Sequence, residues 1–313
     1  MFNLHLKLFY VMISILLTGS NGLLGQKLVD KLRNRPEIKL IATARGQNRY
    51  PHPGGYWYET MDITDEGAIE TVFNKHKPQH IIHTAAMTNV DACETDRDGA
   101  LKQNVEAVEK LVKHANIIGA HFIHLSTDFI FDGLHGPYDE EAEPNPLSFY
   151  AETKLLAEEI VKNKANSWAI LRTVLVYGVV QDMSRSNIVL WAKKSLEDGK
   201  KIQVVDDQFR TPTLAEDLAD GCILAAQKNA QGIYNISGND FMSIFQLVEA
   251  VADFWDLDKS LISRTKSEGL SQPAKRPPVT GFILTKAMQE LGYSPHSFIE
   301  GLKIVDQQLK SGV

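Results

Sequence analysis

Cysteine is scarce in this sequence, and its basic residues form no cluster. The 313 residues include two cysteines, Cys93 and Cys222, which are far apart and lack the spacing of a metal site. A disulfide framework is therefore not expected. The net charge of −6 argues against nucleic acid or an anionic membrane surface as the main partner. A content of 43% hydrophobic and 23% charged residues is typical of a globular protein.

Histidine is present ten times but shows no metal-ligand pattern. His80, His83, His121 and His124 lie in apolar runs that are typical of buried strands. We expect these four side chains to be structural and predict no metal.

The first 17 residues are largely apolar, yet they do not form a convincing signal peptide. The run from Ile13 to Leu17 leads directly into Thr18 and Gly19, so a cleavage there would destroy the first strand. Met12 stands where such a domain would begin. We therefore predict that residues 1–11 are a dispensable extension, and that the protein is cytoplasmic.

Short β-type runs alternate with amphipathic helical segments in the first half of the chain. This alternation predicts βαβ units and an α/β fold, a doubly wound parallel (Rossmann) sheet with a smaller C-terminal lobe. The predicted nucleotide domain comprises 12–178 and about 202–235, and the substrate lobe comprises 179–201 and about 240–313. The predicted strands are 13–17, 39–43, 56–58, 80–84, 121–126, 168–172, 202–205 and 232–236. The predicted helices are 23–34, 66–76, 97–118, 146–163, 184–198 and 283–292.

A glycine-rich turn follows the first strand and opens the first helix. Gly19 can form a tight turn, Gly22 allows the backbone to approach a pyrophosphate, and Gly25 permits close helix–strand packing. The helix N-terminus would direct unpaired N–H groups at the phosphates. We therefore predict a dinucleotide site at Gly19, Ser20, Asn21, Gly22, Leu23, Leu24 and Gly25.

Arg45, at the end of the second strand, bears on the choice of cofactor. An acidic residue there would bind the ribose of NAD, whereas an arginine can pair with the 2′-phosphate of NADP. We predict NADP(H), with NAD as the alternative. Asp62 and Ile63 are placed to meet the adenine. Thr84, Ala85, Ala86 and Thr88 end a further strand, where small residues would lie against the dinucleotide.

Tyr150 and Lys154 are four residues apart on one predicted helix, which Asn145 and Pro146 should start. A lysine cation and a positive nicotinamide would lower the pKa of the phenol, so that Tyr150 could exchange a proton with a carbonyl oxygen. Ser126 and Thr127 close the preceding strand, so a hydroxyl there could hold the same oxygen.

Together these motifs resemble the extended short-chain dehydrogenase/reductases, and within them the dTDP-4-dehydrorhamnose reductase family, from about Ile13 to Tyr293. The matching stretches are 18–25, 85–94, 126–133, Tyr150-x-x-x-Lys154, 171–173, 176–178 and 205–208. The resemblance implies that Thr127, Tyr150 and Lys154 are the catalytic residues. It also implies that Asp128 and Phe129 border the substrate, and that Asn104 supports the site from behind.

Two arginines indicate the substrate class. In sugar-nucleotide-modifying relatives an arginine near the position of Arg210 touches the diphosphate. Arg276, in the basic loop 272–278, resembles a second one. Surface ion pairing is the alternative for both. The sequence departs from the reductases at Leu175, near which they usually carry a tryptophan beside the sugar.

Three functions remain open from the sequence. The first is an NADPH-dependent reductase of a nucleotide-linked 4-keto-6-deoxy sugar, in which Tyr150 donates the proton, and a homodimer is the assembly to consider. The second is a sugar-nucleotide epimerase or dehydratase, which Arg45 disfavours because such enzymes favour NAD. The third is a non-catalytic regulatory subunit that binds NADP and a partner enzyme.

Overall fold

A computed structural model describes residues 12–181, 187–269 and 272–312. The predicted extension 1–11 lies outside the described residues. The strands are β1 (Ile13–Thr18), β2 (Ile38–Ala44), β3 (Trp57–Thr60), β4 (His80–His83), β5 (His121–Thr127), β6 (Trp168–Thr173), β7 (Val176–Tyr177), β8 (Ile202–Val205), β9 (Phe209–Arg210), β10 (Thr213–Leu214), β11 (Gly232–Asn235), β12 (Met242–Ser243) and β13 (Ile262–Thr265).

Ten α-helices accompany these strands in the described part of the chain. They are α1 (Leu23–Leu32), α2 (Glu66–His76), α3 (Val90–Thr95), α4 (Arg97–Leu101), α5 (Ala107–Ile118), α6 (Phe149–Lys164), α7 (Ile188–Glu197), α8 (Ala215–Gln227), α9 (Ile244–Phe254) and α10 (Phe298–Ser311). A wide π-type turn, Lys102–Glu106, joins α4 to α5. None of the helices described is long and apolar enough to cross a membrane.

The main sheet has seven parallel strands in the order β3-β2-β1-β4-β5-β6-β11. The chain crosses from β3 back to the other side of β1, which creates a switch point between β1 and β4. Because every strand is parallel, the polar residues that end β1, β4 and β5 meet at one edge. The predicted doubly wound α/β fold is confirmed.

Apolar side chains cover both faces of this sheet. On one face Leu17, Leu40 and Ile82 pack with α1 and α8. On the other face Ile81 and Phe122 pack with α2, α5 and α6. A strand that is buried on both faces has a continuous apolar sequence. The main-sheet strands could therefore be predicted from the sequence.

A smaller core lies around α7, α9 and α10, where Val189, Val248 and Leu302 are fully buried. The predicted nucleotide domain included about 202–235. Within that range β11 joins the main sheet beside β6, whereas β8 pairs with β13 and packs with this smaller core. The predicted helix 184–198 lies partly outside the described residues and is seen as α7. The predicted helix 283–292 is shortened to residues 285–291, of which Ala287–Leu291 form a wide π-type turn.

Helix α6, which carries Tyr150 and Lys154, begins later than the sequence predicted. Its N-cap is Ser148, whose hydroxyl accepts from the N–H of Ala151, and not Asn145. Asn145 is held elsewhere, because its N–H donates to Ile130 and its side-chain amide donates to Asp132 at 2.9 Å. These bonds hold Asn145 outside the helix, and residues 145–147 precede the start of α6.

Candidate active site

The glycine-rich turn has the close packing that its spacing predicted. Gly19 adopts φ +72°, a left-handed conformation that favours glycine. A Cβ on Gly25 would lie 2.2 Å from the carbonyl oxygen of Gly19, and one on Gly22 would lie 3.3 Å from the same atom. Backbone packing therefore requires glycine at position 25, and the N-terminus of α1 faces open space.

That space is a cavity of about 1090 Å³ at the carboxyl ends of the main-sheet strands. Most of the predicted site residues line it, although they come from distant parts of the sequence. They are Gly19, Asn21, Gly22, Leu23, Leu24, Gly25, Arg45, Asp62, Ile63, Thr84, Ala85, Ala86, Thr88, Thr127, Asp128, Phe129, Tyr150, Lys154, Leu175, Arg210 and Arg276.

Two predicted residues, Ser20 and Asn104, are not among those lining the cavity. The side chain of Ser20 is buried beneath the turn. Asn104 accepts from the N–H of Met87 at 2.8 Å and donates to the carbonyl of Met87 and to the hydroxyl of Thr153. Because both amide hydrogens are used, Asn104 ties the loop after β4 to α6.

At one end of the cavity Arg45 is joined by a second arginine, Arg49. Asn21 fixes this loop, since it donates to the carbonyl of Gln47 and accepts from the N–H of Arg49, both at 2.8 Å. The N–H of Thr64 lowers the pKa of Asp62, and Arg45 contributes to the same shift. Sequence reasoning missed Arg49, whose only signal was a basic side chain four residues beyond Arg45.

Tyr150 lies on the first turn of α6 and is nearly buried. The ring of Phe129 meets its ring edge-on at 6.2 Å. Burial raises the pKa of the phenol, while Thr127 opposes that shift and Asp128 adds to it. The phenol therefore carries its proton at neutral pH. The predicted lowering requires a positive nicotinamide beside the ring and stays a prediction.

Lys154 follows one helical turn later and is also buried. Its ammonium donates to the carbonyl of Leu125 at 2.6 Å and lies 3.3 Å from Nε2 of His124. Burial lowers the pKa of Lys154 to about 8, and the carboxylate of Glu158 opposes this. A lysine with this pKa is still mostly charged at neutral pH.

Thr127 and Asp128 form a buried polar pair beside the phenol. The hydroxyl of Thr127 donates to Asp128 at 3.1 Å and accepts from the N–H of Phe129 at 3.2 Å. Burial raises the pKa of Asp128, which Arg210, Thr280 and Thr127 oppose. The single hydroxyl hydrogen of Thr127 must turn away from Asp128 before it can serve a substrate oxygen.

The two arginines that were expected to bind a diphosphate both line the cavity that Tyr150 lines. Arg210 is buried, and its guanidinium donates to the carbonyls of Phe209, Pro277 and Pro278 while Nε lies 3.6 Å from Asp128. These bonds commit Arg210 to the protein's own oxygens. Its direct contact with a substrate stays a prediction. In the structure its hydrogen bonds to Pro277 and Pro278 hold the loop that precedes Thr280.

Arg276 is more accessible, with 19% of its side chain exposed. It forms an ion pair of 2.8 Å with Asp91 on α3 and donates to the carbonyl of Ala274. The basic loop is thereby fastened to the nucleotide-binding half of the molecule.

The far end of the cavity is largely apolar, and Leu175 borders it with a left-handed φ of +40°. Such a backbone is strained for a leucine. Sequence reasoning missed the other wall residues here, since they lie on α7, β8 and α9 in the less regular half of the chain. They are Ile188, Trp191, Gln203, Val204, Val205 and Ile244.

Comparison with known proteins shows which family has this arrangement. The model of the RmlD substrate binding domain family matches residues 13–311. The beta subunit of methionine adenosyltransferase 2 from Xenopus tropicalis is 32% identical over 251 residues, covering 78% of this chain and 73% of that protein. The crystal structure of a dTDP-4-dehydrorhamnose reductase from Clostridium acetobutylicum superimposes with a TM-score of 0.84 at 28% identity, covering 95% of this chain and 100% of that chain.

A second dTDP-4-dehydrorhamnose reductase, from Bacillus anthracis in complex with NADP, superimposes with a TM-score of 0.83 at 25% identity, covering 95% of this chain and 99% of that chain. The predicted likeness to these reductases is confirmed in both sequence and fold. The chain therefore belongs to the RmlD substrate binding domain family.

Proposed function

We propose that this protein is an NADPH-dependent reductase of a nucleotide-linked 4-keto-6-deoxy sugar. One observation carries the proposal: Thr127, Tyr150 and Lys154 line a single cavity with the glycine-rich turn and with Arg276. A proton donor, a cation and a dinucleotide-type turn are the groups that carbonyl reduction needs in one place.

The residues of the turn fit a dinucleotide. The packing of Gly25 against Gly19 brings the N–H groups that start α1 to the cavity, where a pyrophosphate would accept from them. Arg45 and Arg49 border the same end and suit a 2′-phosphate, which favours NADP over NAD. When bound, the reduced nicotinamide supplies a hydride.

The chain's own residues would handle the proton and the orientation of the substrate. Tyr150 holds a proton that it can give to the carbonyl oxygen of the sugar, because burial keeps its phenol neutral. Lys154 would bind ribose hydroxyls and supply positive charge beside the phenol. Thr127 would donate to the same oxygen after it turns from Asp128.

Arg276 is the group we assign to the substrate's diphosphate, with Arg210 fixing the loop that carries it. Asp128 and Phe129 would border the sugar, as would Leu175. The apolar far end, which includes Trp191, suits the flat face of a nucleobase.

A screen for NADPH oxidation over a panel of nucleotide-linked 4-keto-6-deoxy sugars tests this function. We expect turnover with one of them, with one oxidised cofactor formed per product. Product formed without net cofactor oxidation would instead support an epimerase or dehydratase.

The name of the Xenopus tropicalis relative, a methionine adenosyltransferase subunit, favours a second candidate function. In this case the cavity would bind NADP while an outer surface binds a partner enzyme. Co-purification of a stoichiometric partner, with no turnover on any keto sugar, would support that role. We also propose a cytoplasmic location and a homodimer, which light scattering of the purified protein would test.

A further inference from the structure

A pair of buried histidines lies behind Lys154, and the proposed chemistry does not use either of them. His83 ends β4 and His124 lies opposite it on β5, with 2% and 1% of their surfaces exposed. Their rings stack with centroids 5.5 Å apart and planes 26° apart, beside the ring of Phe122. Besides packing, each ring offers a nitrogen to a polar neighbour: Thr18 for His83 and Lys154 for His124.

The hydrogen bonds of Thr18 determine which nitrogen of His83 accepts. The hydroxyl oxygen of Thr18 accepts from the N–H groups of Thr84 and Ala85, at 3.2 and 3.3 Å. Its own hydrogen is therefore directed at Nδ1 of His83, 2.8 Å away. This chain of bonds connects the residue before the glycine-rich turn to the histidine pair.

The position of Lys154 determines the proton on His124 in the same way. A charged ammonium only donates, so Nε2 of His124, 3.3 Å from Nζ, must accept. The proton of His124 then sits on Nδ1, which is buried without a hydrogen-bond partner among the described residues. A buried N–H without a hydrogen-bond partner costs stability. This tautomer is nevertheless the one in which Nε2 can accept a hydrogen bond from Lys154.

The ammonium of Lys154 has three hydrogens to place. One goes to the carbonyl of Leu125 and one to His124, which leaves one for a ligand in the cavity that Lys154 lines. Because the carbonyl of Leu125 and Nε2 of His124 are both fixed, they direct the third N–H of Lys154 into the cavity.

The surroundings keep His124 neutral. Burial lowers the pKa of His124 well below its usual value, and Lys154 and His83 lower it further. Helix α5 contributes only apolar side chains to the buried cluster around Phe122, namely Ala107, Val108, Leu111, Val112 and Ala115. Its buried His114 packs instead against Phe73 and lies 3.6 Å from Glu66. From α6 the titratable groups are Lys154 itself, Tyr150 and Glu158, of which Glu158 favours the charged lysine.

We propose that His124 is a positioning residue. Its neutral Nε2 holds the ammonium of Lys154 in the charged state and directs it into the cavity. The stacked ring of His83 supports the imidazole of His124. The catalytic benefit rests on the proposed reductase function. The effect on Lys154 does not, since it is a property of the protein alone.

Two substitutions at position 124 make a matched pair. In His124→Gln the side-chain amide reaches the place of Nε2, whereas in His124→Asn it stops at the place of Nδ1. His124→Phe keeps the ring without the acceptor. His121→Phe is the control, since His121 lies on the same strand and opposite His80 in the same register, at the end of the strand remote from Lys154. Its ring meets that of His80 edge-on.

The first measurement is competitive acetylation of Lys154 between pH 6 and 10, read by mass spectrometry on the protein without substrate. We expect His124→Gln and His121→Phe to keep the wild-type midpoint. In His124→Asn and His124→Phe the midpoint should fall by about one pH unit, a tenfold change in the protonation equilibrium. Equal midpoints in Gln and Asn variants that both retain the wild-type circular dichroism would overturn the proposal.

The second measurement is the pH profile of kcat with the substrate found in the screen. The alkaline limb should move to lower pH in the Asn and Phe variants and stay in place in the Gln variant. An alkaline limb that does not move in the Asn variant would contradict the role in catalysis. If no keto sugar is turned over by the wild type, the proposed function fails, and the acetylation midpoints still decide the role of His124.

Discussion

The guanidinium of Arg276 lies 2.8 Å from the carboxylate of Asp91 and joins the basic loop to helix α3 beside the cavity. Arg276 belongs to the C-terminal part of the chain, whereas Asp91 follows β4 of the main sheet. The pair therefore places a cation at the cavity wall through a contact between residues 185 positions apart.

Replacing Arg276 by alanine should weaken binding of the nucleotide sugar and spare the cofactor. The loss of a charge-assisted hydrogen bond to the diphosphate predicts a rise in KM of roughly 10- to 100-fold. Titration calorimetry with NADPH should give an unchanged Kd. Asp91→Asn is the control, because it keeps the cation and should alter KM by only a few-fold. Equal KM values for wild type and Arg276→Ala would contradict the assignment of Arg276.

Replacing Tyr150 by phenylalanine should abolish most of the turnover and leave the fold intact. The loss of a positioned proton donor predicts a fall in kcat of about 10²- to 10⁴-fold. Tyr138→Phe is a matched control, since Tyr138 is also buried but its hydroxyl bonds to Asp132 outside the cavity wall. Steady-state NADPH oxidation measures both. Near wild-type kcat in Tyr150→Phe would refute the proposed proton donor.

Replacing Arg45 by alanine should reduce the preference for NADPH. We expect the Kd of NADPH to rise roughly 10-fold, since one charged contact to the 2′-phosphate is lost. The Kd of NADH should stay the same, because NADH has no such phosphate. Fluorescence titration with both nucleotides gives the ratio, and Arg49→Ala shows whether the second arginine shares the role. An equal loss for the two nucleotides would show that Arg45 acts on the loop rather than on the phosphate.

Breaking the buried ion pair between Arg172 and Glu158 should destabilise the protein strongly. The two side chains are essentially unexposed and bond twice, at 2.8 and 3.0 Å, which anchors α6 to β6. Arg172→Met leaves the carboxylate buried and should lower the free energy of unfolding by about 3–5 kcal/mol. Urea denaturation measures it. Lys113→Ala, which breaks an exposed pair with Glu66, should leave the free energy of unfolding nearly unchanged.

The buried side chain of His121 should make the free energy of unfolding decrease as the pH falls. Burial lowers the pKa of His121 to about 4 from an ordinary 6.5, so the folded protein holds this imidazole neutral. The unfolded chain takes up the proton first, and stability falls as pH drops from 6.5 towards 4, by about 3 kcal/mol in full. His121→Gln should remove this part of the slope. Parallel stability profiles for wild type and variant between pH 7 and 4 would contradict it.

The alternation of strands and helices was readable in the sequence because each main-sheet strand is buried on both faces. Placement of the smaller lobe was harder. β8 has only four residues, and its partner β13 lies about 60 positions further on, so no local pattern indicated their pairing. The start of α6 was misplaced because Asn145 suits an N-cap as well as Ser148 does, and only the bonds to Ile130 and Asp132 decide between them.

The sequence alone determined the glycine-rich turn, the order of the nucleotide-binding units and the spacing of Tyr150 and Lys154, since these depend on neighbours within a few residues. Only the tertiary structure decided how their groups are committed. The guanidinium of Arg210 donates to backbone carbonyls of the protein, and the side-chain amide of Asn104 bonds to Thr153 behind the site. Burial raises the pKa of the Tyr150 phenol. Hydrogen-bond partners and desolvation depend on residues that the sheet brings together from distant parts of the chain. His124, which contacts Lys154, is such a residue, and its position in an apolar strand gave no sign of that contact.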